Sequence, residues 1–530
     1  MILAAWLMAL PLSMTSCDDV VDTIEDELLD EEDDYYDNPK TNDSDYKLPK
    51  DPLPKSEYTI IFYGHGGGDL DWNILWNIDD LFTANKSSYD KVHATVMYKM
   101  SGKDGLTVAI DNGEFEDMDV DEYGHATFRF VVKPSIGMDS IMDQYFYDAT
   151  INDRDIDIAS TTTLTNYIKW AKEKAPAEKY ILIISDHGCG YSPKDELPLN
   201  SPSLSKGVVY DDGANFDHLT AEKIAKAITD AGIRPEVIYM DACLMNTIEY
   251  HYELKDLTNY LMLSTFSVPG SGGKYNSLID ELASNSNIET ALANVCDATV
   301  KAWDEELYED NEQQVNPYSD LSVIRTADID QFGNLWKTFT EQLISAYQSN
   351  DKAKAAINKV TSEMLPITDG YPMYDMNYYA KKIIESIPSY FDKNLDKDLE
   401  TAYNNYVFYR RASADLEKFG YKIGASVMLG CKNHYTAHLW DRDEETGEPF
   451  LTSYITYEED GRMLYFEVDG TQYDENNWNS TLDNTYKRLK FDQLTHWSDW
   501  IEINEQETGS YCPSEFEAEI TADGFVPKEY

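Results

Sequence analysis

From about residue 56 the chain alternates short apolar runs with amphipathic stretches. "YTIIFY" (58–63), "VHATVMY" (92–98), "ATFRFVV" (126–132), "YILIIS" (180–185), "EVIYM" (236–240) and "YLMLST" (260–265) read as strands. Several are apolar without alternation, the pattern of strands covered on both faces. Between them the period becomes helical. "TTLTNYIKWAKEKA" (162–175) sets Leu164, Ile168 and Ala171 on one stripe. "LTAEKIAKAITDAG" (219–232) has Thr220 placed as N-cap and Gly232 as C-cap. "MNTIEYHYELKDL" (245–257) repeats the period. Strands alternating with helices predict an α/β fold with an open, mostly parallel sheet flanked by helices. "HATFRFVV" and "GLTVAIDNG" read as an added hairpin.

Beyond about residue 290 the pattern turns helical, in "IETALANVCDATVKAWDEELY", "IDQFGNLWKTFTEQLISAYQ", "DKAKAAINKVTSEM" and "DMNYYAKKIIESI". "YKIGASVMLG" reads as a strand and "YKRLKFDQLTHWSDWIEI" as one closing helix. This predicts a mainly helical C-terminal lobe. A length of 530 residues also exceeds one typical core. The folded sequence divides into 56–290 and 291–505, with a tail at 506–530.

The first 55 residues behave differently. "MILAAWLMALPLSMTSC" is apolar, too short for a membrane span, and reads as a secretory signal over 1–17. "LSMTSC" resembles a bacterial lipobox, with Cys17 as the lipid-bearing residue. Residues 18–55 are strongly acidic and repel themselves into an extended linker. Acids directly after such a Cys resemble the surface-export signal of Bacteroidetes-type lipoproteins. The expectation is a secreted protein of the outer membrane or cell surface, touching membrane through its lipid anchor only. Formal net charge is −55, from 98 acidic against 43 basic residues. Such a surface repels phosphate backbones, so nucleic acid is excluded as a partner.

The six Cys show neither paired C-x-x-C nor regular spacing, which argues against a disulfide framework or zinc knuckle. H-E-x-x-H and G-x-S-x-G are both absent. "YGHGGGDLD" (63–71) has the look of an esterase oxyanion loop, but that fold needs the missing G-x-S-x-G elbow.

Three predicted strands end in loops rich in chemistry: "GHGGG", "DHGCG" and "DACLMN". In open parallel sheets such ends converge on one edge. Cys243 follows a strand and precedes a helix, whose N-terminus would lower its thiol pKa. His187, 56 residues earlier, supplies a base in the order used by caspase-type peptidases. A Gly after the His lets backbone approach a substrate and donate to a tetrahedral oxyanion.

On "WAKEKAPAEKYILIISDHGCGY" (170–191), "KGVVYDDGANFDHLTAEKIAKAI" (206–228), "VIYMDACLMNTIEYHYEL" (237–254) and "STFSVPGSGGKY" (264–275), the sequence resembles the clostripain-like cysteine peptidases of the caspase-like clan. The resemblance implies a caspase-like catalytic domain at 56–290, a His–Cys dyad and cleavage of peptide or protein substrates after Arg or Lys. It matches His187 to the base and Cys243 to the nucleophile. It makes Gly188 and the Cys243 N–H the oxyanion donors and puts Asp241 at a basic-residue pocket. Ser264 and Phe266 fall on the following substrate-binding loop. There Thr265, Phe266 and Ser267 stand where members often carry acids, so Phe266 would make the pocket more apolar. No cofactor is required by this chemistry, although some members require calcium, which Asp211–Asp212 would ligate if not serving loop structure. Maturation by self-cleavage would fall at Lys194 or Lys206. The competing expectation is a catalytically inactive relative acting as a surface binding module. In the family reading "GHGGG" sits beside the cleft and is read as a tight turn into the next helix, the alternative being a cleft-lining loop whose Asp69 or Asp71 would touch a basic substrate; Cys189 is a small filler.

Overall fold

The computed structural model describes residues 52–103, 105–107, 123–132, 156–191, 207–214, 217–309, 319–364, 367, 373–418, 424–429 and 486–507, with the strands 436–442, 449–457, 463–467, 472–475, 518–521 and 524–527. The signal with Cys17, the linker up to residue 51, the Lys194 and Lys206 loop and most of the tail lie outside the described residues. No described helix is long and apolar enough to cross a membrane.

The strands up to residue 428 run in chain order as β1 (Ser56–His65), β2 (Val92–Lys99), β3 (Thr127–Val131), β4 (Ala177–Ser185), β5 (Val208–Asp211), β6 (Asp217–Leu219), β7 (Val237–Asp241), β8 (Tyr260–Leu263), β9 (Asp320–Arg325), β10 (Met373–Asp375), β11 (Val407–Ala412) and β12 (Ser426–Met428). Eight of them form one sheet, ordered β11-β9-β8-β7-β4-β1-β2-β3. The central strands β8, β7, β4, β1 and β2 pair in parallel. β3, β9 and β11 pair antiparallel at the flanks. The fold is thus the caspase-like, mostly parallel sheet flanked by helices that the pattern predicts.

The unbroken apolar runs are explained by burial on both faces. Ile61, Tyr63, Leu182, Ile184, Ile238 and Met240 pack into one core, and Ile60, Phe62, Ile181, Ile183, Val237 and Tyr239 into the other. Alternate residues of a strand point to opposite faces, so each run feeds two cores. The helices Thr161–Lys174 and Ala221–Ala231 cover the first face through Leu164, Ile168, Ala171, Ile224 and Ile228. The helices Asp71–Asp80, Tyr275–Ser284 and Ile288–Glu309 cover the second through Ile74, Leu278 and Val295. Thr220 caps its helix by accepting the Lys223 N–H at 3.2 Å, and Gly232 ends it in the left-handed region at φ 64°.

Three details differ from the sequence reading. "HATFRFVV" does form β3, but on β2, while residues 105–107 of "GLTVAIDNG" are helical. The closing segment is two helices, Lys490–Thr495 and Trp497–Glu507, broken at His496, whose φ of 53° no helix tolerates. The sheet also continues past residue 290 through β9 and β11, with the helix Leu395–Tyr406 packed on both and the helix Ile329–Ser349 packed on that helix. β1 leads to β2 on one side while β4 lies on its other side. The strand order therefore reverses between β1 and β4, and ligand sites form beyond the carboxyl ends at such a point.

Candidate active site

β4 and β7 are neighbours in parallel register, and their last pair is Ser185↔Asp241. His187 and Cys243 each lie two residues beyond that pair. The loops carrying them touch through backbone. A Cβ on Gly188 would stand 2.5 Å from the Cys243 carbonyl oxygen and 2.8 Å from the Ala242 Cβ, so only glycine fits there. Cys243 is half-buried, with Cys189, Leu244, Tyr210 and Met373 packed beside it. Its Sγ accepts the Val268 N–H at 3.3 Å. Among the described residues no hydrogen bond joins His187 to Cys243.

The thiol departs from expectation in one respect. Desolvation pushes Cys243 up to about 11, rather than down. The reason is local. Burial desolvates the sulfur, and the next helix begins only at Ile248, capped by Thr247, five residues beyond Cys243. The intervening residues instead run beside the loop after β8, with the Leu244 N–H on Phe266 O at 3.0 Å and the Asn246 N–H on Ser264 O at 2.9 Å. Leu244 takes a left-handed φ of 63° to make that turn.

Among the described residues His187 makes one ring hydrogen bond, to Asp69, with Nε2 2.7 Å from Oδ1. Burial disfavours its charged form, but the Asp69 carboxylate outweighs burial and lifts the imidazole to about 9. Asp186, buried beneath, accepts the His187 N–H at 2.6 Å and the Tyr210 N–H at 2.8 Å. It thereby ties the histidine loop to β5. Burial raises Asp186 to about 7.

β5 ends in Asp211, and Asp212 opens the turn that follows it. With His65 they present three potential metal-ligand atoms within 4.8 Å of one another. The set does not fit calcium. Asp211 already takes the Lys99 ammonium at 2.6 Å and the Ile158 and Gly213 N–H groups at 2.7 and 3.0 Å. Asp212 accepts the Gly102 N–H at 2.5 Å and faces His65 Nε2 at 3.2 Å and His125 Nδ1 at 3.4 Å. A hard cation needs six or more oxygens, and here an ammonium holds its place. The pair supports the loop.

His65 belongs to that support. It is fully buried, and its Nδ1 donates to the Lys99 carbonyl at 2.9 Å. Asp71 does not reach a substrate either. It is buried, accepting the Tyr98 hydroxyl and the Ser101 N–H. Asp69 contacts His187 instead of standing free.

Asp241 is buried on the face opposite Met240. Its Oδ2 accepts the Tyr275 hydroxyl and, at 2.8 Å, the Gly273 N–H, while Oδ1 has no hydrogen-bond partner among the described residues. Burial raises its pKa against those two donors. Ser264 and Phe266 are also buried. The Ser264 hydroxyl and the Thr265 and Phe266 N–H groups all converge on Asp320, at 3.2, 2.7 and 3.2 Å. Asp320, the first residue of β9, was not visible as a site residue, since a lone acid opening a short strand carries no motif. The same holds for Asp69 and Asp186 in their supporting roles. Cys189 is buried as a filler.

Fold and site together define a caspase-like α/β protein with a thiol and an imidazole on adjoining loops at the sheet's switch point. A profile of the clostripain family matches residues 142–503, and the chain belongs to that family. Clostripain from Hathewaya histolytica is 24% identical over 266 residues, 47% of this chain and 48% of its own. The chain thus spans about half the length of that curated relative. Among solved structures, the secreted C11 cysteine protease "iotapain" of Bacteroides thetaiotaomicron superposes with a TM-score of 0.51 at 16% identity, covering 84% of this chain and 100% of that one. An inactive zymogen C11 protease from Parabacteroides distasonis gives 0.46 at 12% identity, covering 84% and 99%.

Proposed function

We propose that the chain is a secreted cysteine endopeptidase that cleaves peptide or protein substrates after Arg or Lys. One observation carries the reading: His187 and Cys243 occupy equivalent positions, two residues past the last paired residues of adjacent parallel strands, with Gly188 backbone against the Cys243 peptide. In this reading the Cys243 sulfur attacks the scissile carbonyl carbon as His187 takes its proton. The N–H groups of Gly188 and Cys243 receive the oxyanion. The imidazolium returns the proton to the leaving amine, and water hydrolyses the thioester. This chemistry needs no cofactor. Asp241 selects a basic side chain, a role supported by its buried, unpartnered Oδ1, which an ammonium or guanidinium would satisfy. The loop of Ser264 and Phe266 forms a wall of the cleft, held by Asp320.

The test compares the full chain with Cys243→Ala on peptides bearing Arg, Lys or an apolar residue before the scissile bond. Loss of about 10⁴-fold or more in kcat/KM is expected in the variant. Undiminished hydrolysis by Cys243→Ala rejects the mechanism. Preference for the apolar peptide rejects the role of Asp241 alone. The lipid anchor on Cys17 and self-cleavage at Lys194 or Lys206 share a second test. Mass spectrometry of protein from the membrane fraction should show an acylated chain starting at Cys17 and a cut after either lysine. An unmodified N-terminus counts against the anchor, and a fully active, uncut chain against self-cleavage.

A further inference from the structure

The loop after β1 lies outside the segments that carry His187 and Cys243, yet it is built to deliver one carboxylate. The Gly66 N–H donates to the Lys99 carbonyl at 3.2 Å, and the Gly68 N–H to Ser101 Oγ at 2.9 Å. The Leu70 N–H closes the turn on the Gly66 carbonyl at 2.7 Å. Gly67 sits at a φ of 58°, where a Cβ would come within 2.3 Å of Asp186 Oδ1 and 2.8 Å of His187 Cδ2. Backbone thus passes directly along the Cδ2–Nε2 edge of the imidazole, and Asp69 meets Nε2 at 2.7 Å. Nδ1, on the opposite side of the ring, makes no hydrogen bond among the described residues.

We propose that Asp69 is the positioning residue of His187: its carboxylate holds Nε2–H, fixes ring rotation and tautomer, and leaves Nδ1 to exchange the proton of Cys243. This rests on the peptidase reading above. With Nε2–H held, the lone pair lies on Nδ1. During acylation Nδ1 takes the Sγ proton as the C–S bond forms. It returns that proton to the amide nitrogen as the C–N bond breaks. The Asp69 carboxylate keeps its hydrogen bond to Nε2–H throughout and stabilises the transient imidazolium. Asp186 and Cys189, which also act on His187, lie on its own loop. Asp69 is the carboxylate that another element brings to the ring.

The experiment uses the full chain as wild type, Asp69→Asn and Asp69→Glu. It follows the His187 imidazole by NMR titration, assigned with His187→Ala, together with the pH dependence of kcat and KM on a peptide substrate. Asp69→Asn should lower the imidazole pKa by about one unit or more and shift the acidic limb of kcat/KM down the pH scale equally. Plateau kcat should fall about tenfold or more with KM changed by less than about twofold, and Asp69→Glu should recover part of the loss. An imidazole pKa unmoved by Asp69→Asn overturns the proposal, whether or not peptides are cleaved. So does a fall in kcat with the acidic limb unmoved, which is what a merely structural role would give. A shifted imidazole in a protein whose wild type cleaves no peptide supports the pairing and overturns the peptidase reading, so the two failures are distinguishable.

Discussion

Two loops of this molecule look alike in sequence and differ in use. Both follow a buried parallel strand, both run His-Gly, and the strands are neighbours, with Gly64 opposite Ser185. Both histidines are lifted to about 9, each against burial and each by an aspartate, Asp212 for His65 and Asp69 for His187. The difference lies in how many ring nitrogens are engaged. His65 is fully buried, with Nδ1 on the Lys99 carbonyl and Nε2 facing Asp212. His187 engages Nε2 and keeps Nδ1 available. A histidine with both nitrogens engaged is a crosslink, whereas one with a nitrogen to spare can move a proton. The richer glycine content of the first loop serves a close approach to the second, since Gly67 lies against Asp186 and His187.

The sharpest way to break this contrast is to truncate each histidine. His187→Ala should lower kcat/KM by about 10³-fold or more with a urea midpoint near wild type. His65→Ala should do the reverse. Removing one member of this buried ion pair leaves Asp212 with the Gly102 N–H and His125 alone and costs about 3 kcal/mol. The folded fraction should then turn over within about tenfold of wild type. Urea unfolding and single-substrate kinetics on both variants decide it. A stable His65→Ala protein as inactive as His187→Ala would mean that the catalytic histidine is the one in the glycine loop.

Much of this was legible because strand and helix periods are local. "YILIIS" and "EVIYM" could be read as doubly covered strands, and Thr220 and Gly232 mark their helix to the residue. Once strands are placed, their carboxyl ends place His187 and Cys243. β9 and β11 escaped for the converse reason. "DLSVIR" is short, "VFYRRA" is half-buried at the sheet edge, and both pair antiparallel with partners far along the chain. Long-range partners left no local trace either. Asp69 reaching His187, Asp320 collecting the donors of residues 264–266, and Lys99 neutralising Asp211 each join segments that only tertiary structure brings together. The expectation of a lowered thiol pKa at Cys243 failed on a similar point, because the helix begins at Ile248 rather than at Met245.

A finer test of the two histidines is the pH dependence of stability. The folded-state pKa of His65 is raised to about 9 from 6.5, with burial opposing and Asp212 prevailing. A raised pKa means that the folded state binds the proton more tightly than the unfolded chain. The resulting stability is fully present below about pH 6.5 and is lost as pH rises through about 9. The shift corresponds to roughly 3 kcal/mol. Wild type alone would not isolate this contribution, because His187 titrates in the same window and Asp186, raised to about 7, loses its own contribution just below it. The difference between wild type and His65→Ala cancels the His187 contribution but not all of the Asp186 one, because the His65 charge itself lowers the Asp186 pKa. That difference should be largest near pH 6 and narrow by about 3 kcal/mol by pH 10. The same measurement on Asp69→Asn should narrow in the same direction through the loss of the His187 pairing, but by less, since Asp69 is partly exposed to solvent that screens it. A wild-type-minus-His65→Ala difference that stays flat from pH 6 to 10 would show that His65 is held as a neutral ring, crosslinking Lys99 and Asp212 through hydrogen bonds alone. The two loops would then differ in charge as well as in the number of nitrogens engaged.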